Sequence, residues 1–77
     1  MSILHDQLVD ITRDYLGPAA ERFVDRQINF HLKKNPQDLA KEDIPKLSEW
    51  IKVTLATLTQ DVKSVNDCSQ RISSLAL

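Results

Sequence analysis

Leu4, Leu8, Ile11 and Tyr15 recur at steps of four, three and four residues and so fall on one stripe of a helix. Asp6, Asp10 and Asp14 run down a second, wet stripe with only Arg13 to offset them. The pattern predicts an amphipathic helix over about 3–16, with the Ser2 hydroxyl placed to cap its first turn. It stops at Leu16. The only glycine of the chain follows, Gly17, at the position beyond a helix end where left-handed backbone costs a residue without a Cβ little. Pro18 suits the first turn of a next helix, because its φ is preset and its missing N–H would have had no partner there. Gly17 and Pro18 are therefore the expected structural corner, and the small Ala19 and Ala20 let the two helix axes approach.

A second helix is predicted over 18–34. Ala20, Val24, Ile28 and Leu32 repeat every four residues, Phe23 widens the stripe, and Phe30 lies on its flank. Lys33 and Lys34 close it, where positive charge favours the dipole. Asn35-Pro36 then breaks the period and starts a short helical turn at 36–39, with Asn35 as cap and Leu39 tucked under the connection as part of a lid over the core.

Acid and proline cluster again at Glu42, Asp43 and Pro45, as helix starts prefer. From there Ile44, Leu47, Ile51, Leu55, Leu58 and Val62 trace the strongest stripe of the chain, with Trp50 beside it. Val65, Cys68, Ile72 and Leu75 keep helical spacing, but Thr59, Ser64, Asn66, Asp67, Ser69 and Ser73 are poor helix formers. The expectation is a third helix over 42–58, a break near Thr59–Gln60 with Thr59 as cap, and a last helix over 60–75. The alternative is one rod from Glu42 to Leu75, about 50 Å long, which would close no core by itself and would force dimerisation.

These elements make an all-α fold, a small bundle of three to four amphipathic helices in one domain spanning residues 1–77. Size sharpens the expectation. With 77 residues a lone core seldom supplies more than about 3–5 kcal/mol net. Cys68 is the only cysteine, so no disulfide helps, and no Cys/His cluster offers a structural metal. Tight packing or association with another chain is left to stabilise the fold.

Candidate chemistry is sparse. One glycine excludes the glycine-rich loops that cradle phosphates, so no nucleotide bound in that way is expected; no cofactor and no small-molecule substrate is evident either. His5 reads as a solvent-facing residue, His31 as a packed residue at the helix edge and Cys68 as a small buried one; only a Cys68 nucleophile with a His31 base would make an enzyme, and none is expected. The formal net charge is −1, with ten Lys/Arg against eleven Asp/Glu, which gives no global field for nucleic acid or an anionic membrane. Locally, residues 21–34 carry Arg22, Arg26, Lys33 and Lys34 against Glu21 and Asp25, with Phe23 and Phe30 interleaved. That basic face supports the alternative reading, a small nucleic-acid-binding protein. The segment MSILHDQLVD has neither a basic leader nor a long apolar run, and a cytoplasmic setting is expected.

The stretches YLGPAAERFVDRQ and DLAKEDIPKLSEWI resemble a small helical accessory module of bacterial signalling proteins, including some serine/threonine kinases, in which a Leu/Ile-Gly-Pro corner opens a helix and a leucine-rich helix follows. The resemblance spans about residues 8–72, rests on Gly17-Pro18, and brings no catalytic residues. It implies a bacterial regulatory or accessory protein; a chain carrying no kinase or receiver domain would act as a free-standing partner. The expected activity is non-enzymatic: self-association as a homo-oligomer, a homodimer above all, or binding to another protein. Phe30, Trp50, Ile51, Leu55 and Leu58 are the candidate contact residues.

Overall fold

The computed structural model describes residues 3–77, so the expected Ser2 cap lies outside the described residues. Among the described residues four α-helices follow one another: α1 Ile3–Leu16, α2 Ala20–Gln27, α3 Ile44–Leu58 and α4 Val62–Ser73. α1 packs chiefly on α2 and α3 on α4, while α4 also returns to α1. The all-α bundle expected from the periodicity is the fold.

The corner stands where glycine and proline place it. Gly17 has φ +60°, and a 3₁₀ turn, Gly17–Ala19, carries the chain into α2 with Pro18 in its first turn. The second helix is less regular than a single 18–34 element. After α2 the backbone widens into a π-helical turn, Ile28–Leu32, and ends at Lys33, which has φ 54°. A wider turn moves Leu32 off the line of Val24 and Ile28, which explains why it is half-buried while those two are sealed.

Asn35 caps the next turn as expected: its Oδ1 accepts from the Gln37 N–H at 3.1 Å, and a 3₁₀ turn runs over Pro36–Asp38. Leu39 is buried behind it. A further 3₁₀ turn, Lys41–Asp43, leads into α3, so the expected 42–58 helix is entered through a tighter first turn. The chain breaks at Thr59, whose backbone is extended, and the long-rod alternative fails: the longest dimension of the molecule is 31 Å. The cap of α4 is Asp61 rather than Thr59. The Asp61 carboxylate accepts from the Ser64 N–H at 3.2 Å, whereas the Thr59 hydroxyl accepts from the Asp61 N–H, and α4 accordingly starts at Val62, past the expected 60. It ends at Ser73, and Ser74–Ala76 continue as a 3₁₀ turn.

The core is formed by Leu8, Val9, Ala20, Val24, Ile28, Leu39, Ile44, Leu47, Ile51, Leu55, Val65, Cys68 and Ile72. Each large aliphatic member is worth about 1.5–3 kcal/mol over an exposed position. Two departures from the sequence pattern have polar causes. In α1 the buried line is His5, Leu8, Val9 and Thr12, with Leu4, Ile11 and Tyr15 on its flank. The Thr12 hydroxyl is satisfied by the Leu8 carbonyl at 2.8 Å, and His5 Nε2 meets Asp25 Oδ1 of α2 at 2.6 Å, so neither polar group is stranded. His5 is thus an interhelical residue rather than a solvent-facing one. In α3 the buried Ser48 donates to the Ser69 carbonyl at 3.1 Å, with the hydroxyls of Ser69 and Ser73 at 3.2 and 3.0 Å. The serines that weaken α4 by propensity are those that seat it on α3.

Candidate interaction surface

The five candidate contact residues divide into two groups. Ile51 and Leu55 are sealed in the core of the single chain, because the α3 stripe that carries them faces inward and α3 packs chiefly on α4, with α2 and the π-helical turn beside it. They correct the expectation of an interface built along that stripe. Phe30, Trp50 and Leu58 are at the surface, Phe30 at 73% exposure and Trp50 at 40%. Leu58 sits at the end of α3, beside the break, with Tyr15, Leu16 and Thr59 lining the same shallow recess.

Phe30 and Trp50 are joined through His31. The His31 imidazole lies on the Trp50 indole, centroids 4.0 Å apart and planes 9° from parallel, and Phe30 meets His31 edge-on at 5.6 Å. The π-helical turn makes this possible by carrying Phe30 outward and His31 against α3. One turn along α3 stands Val53, missed by a reading that followed only the core stripe. It is 58% exposed and opens a cleft of about 390 Å³ between α3 and α4, with Ala56, Val62 and Val65 on its walls and Val62 itself 68% exposed. Trp50 of the aromatic trio and Val53 of the cleft thus both stand on the exposed part of α3, three residues apart.

The basic face does not assemble as a unit. Lys34 turns to the 3₁₀ turn ahead of α3 and donates to Asp43 Oδ2 at 2.6 Å, an oxygen that also accepts from the Ala40 N–H at 3.0 Å. The bond to Asp43 raises the Lys34 ammonium above its ordinary value. For Asp43, burial pushes the carboxyl up, but Lys34 and the Ala40 N–H outweigh it and hold it below the usual carboxylate range. Arg22 and Arg26 stay together, lining with Arg13, Asn29 and Phe30 a broad open depression of about 1050 Å³ on the outer side of α2. Glu21 and Asp25 line it too, so its positive charge is interrupted.

The nucleophile-and-base pair fares no better. Cys68 is buried in α4, and burial pushes its thiol up to about 11, with Arg71 lowering it and Asp67 raising it, so at neutral pH it is a protonated thiol. His31 is engaged in the aromatic trio. Among the described residues no group of His, Cys, Asp and Glu could hold a metal ion, and no helix is long and apolar enough to cross a membrane.

A polar cluster that sequence spacing could not reveal ties α1 to α4 across more than fifty residues. Tyr15 donates to Asp67 at 2.6 Å, and Arg71 reaches both the Tyr15 oxygen at 3.1 Å and Asp14 at 2.9 Å. Arg71 uses both terminal guanidinium nitrogens, one on Tyr15 and one on Asp14, and its guanidinium sits over the Tyr15 ring, which marks the cluster as an interhelical clamp. Comparison with protein-family models, curated proteins and solved structures found no match to this chain.

Proposed function

We propose that the protein is a non-enzymatic protein–protein interaction module whose contact surface is the side of the bundle bearing Phe30, His31, Trp50 and Val53. The observation that carries this reading is the contact of three rings outside a core that closes without them. Stacked rings lose little entropy on binding, and exposed aromatics beside an apolar cleft have the composition of binding hot spots. The cleft between Val53 and Val62 would receive apolar side chains of a partner helix. The likeness of the Gly17-Pro18 corner to the bacterial accessory module suggests a regulatory partner in a bacterial cytoplasm. The nucleic-acid reading is weaker, since acids share the depression of Arg22 and Arg26; salt-sensitive retention on heparin would revive it.

The test is site-specific photocrosslinking in the cell of origin, with a photoreactive phenylalanine analogue placed at position 53 or, as control, at the exposed position 70. A discrete adduct from position 53 and none from 70 supports the reading. Equal crosslinking from the two positions, or none from 53, contradicts it.

A further inference from the structure

Arg22 and Arg26 stand one turn apart on the outer face of α2, and neither guanidinium has an ion-pair or side-chain hydrogen-bond partner among the described residues. Phe30 lies a further turn along the same edge. The outer face of α1 carries a matching set in the opposite order: Ile3, 76% exposed, then Asp6 and Asp10, with side chains 59% and 73% exposed. From Arg22 to Arg26 along α2 and from Asp6 to Asp10 along α1 is about 6 Å in each case, at about 1.5 Å per residue, with Phe30 beyond the one pair in the π-helical turn and Ile3 beyond the other at the start of α1. Laid antiparallel, α2 of one copy and α1 of another bring Phe30 to Ile3, Arg26 to Asp6 and Arg22 to Asp10.

The Asp10 Oδ1 is held by Arg13, which leaves Oδ2 for an incoming guanidinium. Asp6 has the His5 ring 3.7 Å from its Oδ1 and is otherwise open. Of the two acids beside Arg22 and Arg26 in sequence, Asp25 is already engaged by His5 at 2.6 Å, while Glu21 shares the rim of the depression with them. Because α1 and α2 are neighbours in one chain, a two-fold axis roughly parallel to the helices satisfies the contact twice, α1 on α2 and α2 on α1. We infer that the chain forms an isologous homodimer through the outer faces of α1 and α2, with Arg22 and Arg26 of each copy paired to the acidic stripe of the other. This face meets the aromatic surface only at Phe30, so the inference stands apart from the proposed contact at Trp50 and Val53.

Sedimentation velocity at low salt, from micromolar to millimolar chain, tests it. The unmodified chain should pass from 8.8 kDa to twice that mass and fall back toward monomer in high salt. R22E/R26E and D6R/D10R should each weaken dimerisation by about tenfold or more, and an equimolar mixture of the two should restore it, because both contacts of the mixed dimer are again of opposite charge. W50S should leave the dimer intact. A chain that is monomeric throughout, a dimer indifferent to salt, or a dimer lost in W50S but kept in R22E/R26E overturns the inference. The salt series on the unmodified chain decides the matter even where a charge-reversed variant fails to fold.

Discussion

The imidazole of His31 lies flat on the indole of Trp50, 4.0 Å between centroids, and joins the π-helical turn after α2 to the outer face of α3. A stack of this kind is worth about 0.5–1.5 kcal/mol beyond the area it covers. It also fixes the indole before any partner arrives. H31A should therefore lower stability by about that amount and raise Trp50 fluorescence, since a neighbouring imidazole quenches indole; an emission spectrum unchanged in H31A would mean the rings do not stack in solution.

Among the described residues two occupy left-handed backbone, and only one of them is a glycine. Gly17 at φ +60° has open space where a Cβ would stand, so G17A should cost only the conformational penalty, about 1–2 kcal/mol by denaturant unfolding. Lys33 at φ 54° already bears that penalty. K33G should recover part of it and raise the melting temperature, while a lower melting temperature would show that the Lys33 side chain holds the turn.

Cys68 supplies an alkaline prediction. Its folded pKa of about 11 lies above the ordinary 9.0 because burial disfavours the thiolate. The stabilisation is then complete below pH 9 and is lost as pH rises through 11, where unfolding is the way to ionise the thiol. Thiol reagents at pH 8 should react with Cys68 only in denaturant, and fast native labelling would contradict the burial.

Asp43 gives the opposite dependence. Its folded pKa lies below the ordinary 3.8, so its contribution is present above that value and disappears as pH falls through the folded pKa. D43N should lower stability at neutral pH and narrow its gap to the unmodified chain in acid. A gap that is constant down to pH 2 would show that the Lys34 bond contributes nothing.

How far the sequence reveals this molecule depends on which forces act locally. Gly17-Pro18, the Asn35-Pro36 turn and the break at Thr59 are legible because turn and cap chemistry acts between neighbours. The buried line of α1 is not. It includes His5 and Thr12, polar residues that become buriable only when Asp25 and the Leu8 carbonyl supply partners, and His5 takes its partner from twenty residues away. Periodicity also identifies the face of α3 that is buried but not what buries it. Ile51 and Leu55 are read as contact residues for another chain only because the return of α4 onto α3, seated by Ser48 and Ser69, cannot be seen in spacing. The His31–Trp50 stack arises from the π-helical turn, for which the four-residue repeat of Val24, Ile28 and Leu32 carries no signal.

The claim on which the functional reading turns is that the Phe30 and Val53 side chains are surplus to the fold. Equilibrium urea unfolding of F30S/V53S beside I51A tests it most directly. F30S/V53S should keep the unfolding free energy within about 0.5 kcal/mol of the unmodified chain, as exposed positions do, while I51A should lose about 2–5 kcal/mol. A loss of that larger size in F30S/V53S would place those side chains among the supports of the fold and contradict the account.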